Sequence, residues 1–317
     1  LSKAPDFAKL STAQKKVIEN SLRDFRLGGA ELSDADKPRF SQIQDEQANL
    51  GKTFSDHVLD ATDSFVHLVT DKADLVGLPE DAIAAAADTA QQKNLQGWAF
   101  TLHFPSYYPV MQYSENRALR RLMYEAYVTR ASDLAPQYSQ GKLDWDNSQN
   151  MLEQLRLRDE EAHMLGFKNY AALSLAPKMA SSVDEVDSFL TNFAQKSKPF
   201  ALKDWQELTE FAKTELAITD GLEPWDVAFA SERLKQERYS FSENELKQYF
   251  PLPKVLDGLF QVIQTLFGVK IEAADLPKWH ADVQSFSVKN AKGNIVAYFY
   301  LDPYARPGKR GGCLLYT

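Results

Sequence analysis

The chain has 317 residues, of which 44% are hydrophobic and 12% aromatic. That length allows about two domains and an ample core, and the apolar share excludes a disordered chain. A net charge of −8 argues against nucleic acid or an anionic membrane surface as partner, and the single cysteine, Cys313, excludes a disulfide framework and suits a reducing compartment.

In chain order the spacing of apolar residues predicts a succession of amphipathic helices. Residues 10–25 form the first, closed by Gly28-Gly29. From Ser33 onward Phe40, Ile43, Leu50, Phe54 and Val58 recur on one helical face, with Pro38 tolerated near the first turn. Residues 80–95 form an Ala-rich helix suited to close packing, and residues 102–110, punctuated by Pro105 and Pro109, read as an extended segment or edge strand. Residues 117–128 return to helix. The polar span 131–147, with Pro136 and Gly141, is a plausible linker.

A helix over 148–165 ends at Gly166, which stands at the left-handed position beyond a helix end. Ser182 with Glu185 and Ser242 with Glu245 are capping boxes that open two more helices, and residues 200–216 form another before Gly221. Pro251-Leu252-Pro253 breaks the pattern, which resumes over 255–267 until Gly268. There is no run of apolar residues long enough to span a bilayer, and no secretory signal pattern at the start, so the expectation is a cytoplasmic protein.

The character changes at Trp279. Val283, Phe286 and Val288 sit among short polar residues, Asn290-Ala291-Lys292-Gly293-Asn294 is turn chemistry, and residues 295–301 are aromatic and β-branched. This is a β-hairpin, and it needs a third strand or helices to lean on. The fold class is therefore mainly α, with a small β-hairpin element near the C-terminus. The domain reading is a helical domain over 1–278, with a sub-boundary near 131–147, and a hairpin segment over 279–317.

Trp279-His280 with Asp282-Val283, Tyr298-Phe299-Tyr300-Leu301-Asp302, Tyr304-Ala305-Arg306 and Lys309-Arg310-Gly311-Gly312 resemble the run that precedes the catalytic helix in the thimet-type zinc oligopeptidases. Leu222-Glu223-Pro224-Trp225-Asp226 and Tyr249-Phe250-Pro251 are similar to the same family, as are segments from Leu10 onward. The resemblance implies a zinc metallo-endopeptidase hydrolysing short peptides, a Zn2+ cofactor in the parent enzyme and a monomeric full-length form. It also implies that this chain supplies helical walls of a deep channel that excludes folded proteins by size.

The sequence departs from that family over its last residues, Cys313-Leu314-Leu315-Tyr316-Thr317, and above all in the metal motif. Zinc is held there by H-E-x-x-H, with two histidines one turn apart facing the metal and the glutamate acting on the attacking water. None of His57, His67, His103, His163 and His280 is followed by Glu. No catalytic or metal-binding residue is therefore assigned within the chain, and no metal is expected in it alone. The chain reads as an internal piece of a longer enzyme, inactive by itself. The alternative is a non-catalytic helical peptide-binding or scaffold protein derived from such a peptidase.

The candidate substrate-binding residues are Tyr304, Arg306, Gly311 and Gly312, because strand backbone pairs with extended peptides and glycine permits close approach. Arg306 serves equally as an internal salt-bridge partner. Other candidates carry ordinary readings. Glu160 and His163 stand at E-x-x-H spacing, but a di-iron bundle needs a second such pair, so a surface or packing role is favoured. His57 and His67 are not at ligand spacing on one helix, and Trp225-Asp226 reads as a helix start with Asp226 as cap or first-turn charge.

Overall fold

The computed structural model describes residues 5–135 and 145–310. It is mainly α-helical, with eleven α-helices and five short strands among the described residues. The chain divides into two compact units, residues 1–61 with 129–207 and residues 62–128 with 208–317.

In the first unit, α1 (Thr12–Leu27) opens with a capping box, the Ser11 side chain accepting from Gln14 N–H and the Gln14 side chain accepting from Ser11 N–H. Helix α2 (Lys37–Ser64) buries Phe40 and Ile43, two of the residues whose spacing predicted its face. Helix α6 (Ser148–Met164) ends where expected, with Gly166 in the left-handed conformation at φ 79°. Polar ties join α2 to α6. Arg39 grips Glu160 with two hydrogen bonds of 2.6 and 2.7 Å, and the buried Asn147 donates to the carbonyl of Phe54 while meeting His57 Nδ1 at 3.0 Å. The short α7 (Tyr170–Leu175) follows, with Asn169 as its side-chain cap.

Two helices were expected over 182–193 and 200–216, but the structure has one, α8 (Val183–Glu215), with Pro199 inside it. A single proline removes one rung of the hydrogen-bond ladder; no glycine or cap accompanies it to end the helix. At its start Ser182 accepts from the Glu185 N–H, and the Glu185 carboxylate turns to Ser181 instead of closing the box.

In the second unit, strands β1 (His67–Val69) and β2 (Trp98–Phe100) pair antiparallel, His67 opposite Phe100, with α3 (Glu80–Gln92) between them in sequence. The segment expected to be extended is helix α4 (Phe104–Tyr113). Pro105 falls in its first turn, where the missing N–H has no helical partner to lose. Pro109 does cost a rung, but the helix buries Tyr107, Val110, Met111 and Tyr113, and Tyr107 stacks on Tyr127 of α5 (Arg117–Thr129) at 4.2 Å. Burial of four large side chains outweighs the local preference, at about 1.5–3 kcal/mol each when complete.

Helix α9 (Pro224–Tyr239) begins on Pro224, and α10 (Glu243–Lys247) begins after Ser242, which accepts from Glu245 N–H. Helix α11 (Leu252–Phe267) takes Pro253 into its first turn, so the proline pair starts the helix instead of interrupting it. Strands β3 (Lys270–Ala273), β4 (Gln284–Lys289) and β5 (Ile295–Leu301) form an antiparallel sheet in that order. The predicted hairpin is β4–β5, and β3 and α11 are the supports it needs. Phe260 of α11 meets Phe286 and Phe299 edge-on at 5.0 and 6.0 Å, while those two stack at 5.1 Å across β4 and β5. No helix is long and apolar enough to cross a membrane, among the described residues.

Candidate functional site

The sheet order leaves β5 at an edge, and the chain continues from it into a loop over residues 302–310. Asp302, the first residue of the loop, is its hub. Arg306 donates to both carboxylate oxygens at 2.7 and 2.8 Å, Trp279 donates its indole N–H at 3.1 Å, and Lys309 Nζ stands 3.1 Å from Oδ1. The Arg306 guanidinium, with help from Trp279 and Lys309, holds the Asp302 carboxyl well below the usual carboxylate range. Lys309 also donates to the backbone carbonyls of Asp302 and Tyr304. A short acidic side chain and two longer basic ones thus close the loop on itself.

The loop's far end is a turn over residues 306–309, in which Lys309 N–H donates to the Arg306 carbonyl and Gly308 has φ +75°. Proline followed by a left-handed glycine is the type II pattern. The Gly308 N–H then donates to Asp63 Oδ2 at 2.7 Å. Asp63 Oδ1 lies 2.9 Å from His103 Nε2, in contact but not aligned as a hydrogen bond. At the near end, the Trp279 ring packs on Tyr300 at 5.2 Å, and Tyr300 Oη donates to the Pro277 carbonyl.

Of the four sequence candidates, Tyr304 and Arg306 lie in this loop, while Gly311 and Gly312 lie outside the described residues. Tyr304 is half exposed. Arg306 commits both terminal nitrogens to Asp302, the salt-bridge role considered for it. Sequence reasoning missed Asp63 and His103, for no local pattern joins them to the loop. The nearest signal is an acid in the last turn of α2, where the helix dipole disfavours negative charge and no basic residue offsets it.

The other candidates have structural partners. Glu160 is held by Arg39 and Arg156, and His163 Nδ1 meets the Asp159 carbonyl one turn back. Burial lowers the pKa of His67 in β1, against a smaller opposing pull from Asp74. Asp226 caps α9, accepting from Glu223 N–H, and it also receives Arg117 and Arg120. Burial by itself pushes the Asp226 carboxyl up, but the hydrogen bonds outweigh it and leave the group below its ordinary value. A cavity of about 450 Å³ beside this cluster is lined by Arg117, Arg120, Phe229 and Arg233 among others; each of those arginines already faces a carboxylate.

The described residues bring no three His, Cys, Asp or Glu side chains together as a metal-binding group. They therefore do not fit the zinc that the resemblance implies.

Residues 110–317 match the family described as Peptidase family M3. Oligopeptidase A of Escherichia coli (strain K12) is 47% identical over 307 residues, covering 96% of this chain and 44% of that protein. The organellar oligopeptidase A, chloroplastic/mitochondrial, of Arabidopsis thaliana is 41% identical over 323 residues, covering 98% and 40%. Dipeptidyl carboxypeptidase of Escherichia coli (strain K12) is 30% identical over 307 residues, covering 96% and 44%. The chain thus spans less than half the length of these relatives.

Proposed function

The chain belongs to Peptidase family M3, and from that membership we propose that it serves in the hydrolysis of short peptides by a metallopeptidase, its own share being to hold the peptide. The observation that carries this reading is the edge position of β5, which runs directly into the Asp302-centred loop. Outward backbone groups of an edge strand pair with an extended peptide, so main-chain hydrogen bonds supply affinity with little dependence on peptide sequence. The half-exposed Tyr304 ring offers an apolar face with a polar tip beside that strand.

Cleavage is assigned to groups other than these. The 317 residues contain no H-E-x-x-H, and the described ones form no metal-binding group, so no step is routed through zinc here. In a family of this kind the metal supplies an activated water. The residues described here act before that step by binding and orienting the substrate. A cytoplasmic setting and a channel that admits only unfolded peptides belong to the same proposal. One relative, from Arabidopsis thaliana, is described as a probable cytosolic oligopeptidase A.

The test is fluorescence anisotropy of a labelled peptide of about ten residues titrated with the 317-residue chain. Binding is expected, and Tyr304→Ala should weaken it about tenfold without altering far-UV circular dichroism, as for loss of a contacting aromatic ring. No binding, or an unaltered affinity in Tyr304→Ala, overturns the peptide-holding role. Chelator-sensitive cleavage by the chain itself overturns the assignment of catalysis elsewhere.

A further inference from the structure

The loop over 302–310 is braced internally by Asp302, but an internal brace does not say where the loop sits. Among the described residues, a hydrogen bond to a distant element runs from the Gly308 N–H to Asp63 Oδ2 at 2.7 Å. We infer that Asp63, which lies beside His103, is a positioning residue that fastens the peptide-holding loop at its Gly308 turn. The inference rests on the peptide-holding reading for its consequence, though not for its geometry.

Three observations carry it. First, Asp63 occupies a costly place. It lies in the last turn of α2, where the unsatisfied carbonyls already carry partial negative charge, and that turn contains no basic residue. A carboxylate there needs donors from elsewhere to offset the repulsion, and the Gly308 amide and the His103 ring face it.

Second, the donor is prepared for its acceptor. Gly308 holds φ +75°, which turns its N–H out of the 306–309 turn, and a residue with a Cβ would be strained there even though no atom crowds the position. The demand for glycine is thus conformational, set by the turn that aims the amide.

Third, the two oxygens of Asp63 divide their work. Oδ2 takes the amide, and Oδ1 is buried with His103 Nε2 at 2.9 Å but no aligned donor. His103 immediately precedes α4, with its side chain making no cap bond to that helix. The imidazole thus lies beside Oδ1, while Oδ2 carries the hydrogen bond to Gly308. One carboxylate ties the end of α2, the start of α4 and the loop beyond β5 together within the second unit.

Hydrogen–deuterium exchange of the full 317-residue chain, read by mass spectrometry, tests the latch, with peptide anisotropy as a second readout. Losing a hydrogen bond to a charged acceptor corresponds to an opening equilibrium at least about tenfold more favourable. Asp63→Ala is therefore expected to speed exchange across 302–310 by about that factor, leave the rest of the second unit unchanged, and weaken peptide binding. Asp63→Asn keeps an acceptor for Gly308 and should restore most of the protection. Gly308→Ala keeps the N–H but strains the turn that aims it, and should likewise speed exchange over 302–310.

Unchanged exchange over 302–310 in Asp63→Ala overturns the latch, and so does a rise spread evenly over the unit. If exchange rises locally in Asp63→Ala while Tyr304→Ala binds peptide normally, the latch stands and the peptide-holding reading falls.

Discussion

Replacing Asp226 by alanine should be among the most damaging single changes to the second unit. The residue is 0% exposed, and Arg120 beside it is 1% exposed. Asp226 accepts from Arg117 Nη2 and Arg120 Nη2, each at 2.7 Å, and from the Glu223 N–H at 3.1 Å. Without the carboxylate, Arg117 still has Asp220 at 2.7 Å, out in solvent. Arg120 is left with the carbonyls of Ser114 and Trp225 and with the Phe229 ring 4.2 Å away, none of which carries a full negative charge. A buried charge stripped of its counter-ion costs about 3–5 kcal/mol, with the lost α9 cap, worth about 1 kcal/mol, included in that figure.

Against a typical total of about 5–15 kcal/mol, such a loss removes a large part of the stability. Urea unfolding followed by tryptophan fluorescence, to which Trp225 beside the site contributes, measures it. Asp226→Asn keeps the cap and should lose about half as much. The pair Arg120→Met with Asp226→Leu should recover most of the loss, since it leaves no charge behind. A destabilisation by Asp226→Ala below about 1 kcal/mol would refute the reasoning, for it would mean that water already screens Arg120.

Two further outcomes follow from the same contacts. The folded carboxyls of Asp226 and Glu272 lie below their ordinary values, Glu272 being held down to about 2 by Lys270 first and Lys289 second. Groups lowered in this way contribute stability that is fully present above the ordinary carboxylate pKa of roughly 4 and lost as pH falls through the folded value. Acid unfolding should therefore steepen below about pH 4, with Asp226→Leu/Arg120→Met losing part of that steepness; a pH-independent melting temperature between about 5 and 2 would contradict it. Pro199→Ala should restore one rung of α8 and raise stability by about 1–3 kcal/mol, read by thermal unfolding at 222 nm, and a lowered midpoint would show that the helix depends on the proline.

Much of the fold was legible because its signals are local. Gly166 and Gly268 stop α6 and α11 at φ 79° and 63°, Ser242 caps α10, and the turn after β4 closes through Asn290 and Asn294 with Gly293 at φ 81°. Each of these acts within a few residues, so the sequence carries it openly. The paired strands β1 and β2 and the uninterrupted helices α4 and α8 were not legible. In α4 local preference pointed the wrong way, and the burial of Tyr107, Val110, Met111 and Tyr113 overruled it.

The candidate site divides in the same way. The hairpin, the aromatic run and the charged loop with Tyr304 and Arg306 could be named from the sequence, because strand alternation and turn residues write themselves into it. That Arg306 turns back on Asp302, that Asp226 gathers two arginines about 109 and 106 residues away, and that Asp63 holds an amide 245 residues away are decisions of the tertiary structure. Charge pairing and burial depend on distance in space, which chain separation does not report. The sequence by itself thus determined most of the elements and the family, while only the folded chain decided the course of α4 and α8, the pairing of β1 with β2, and which charges meet.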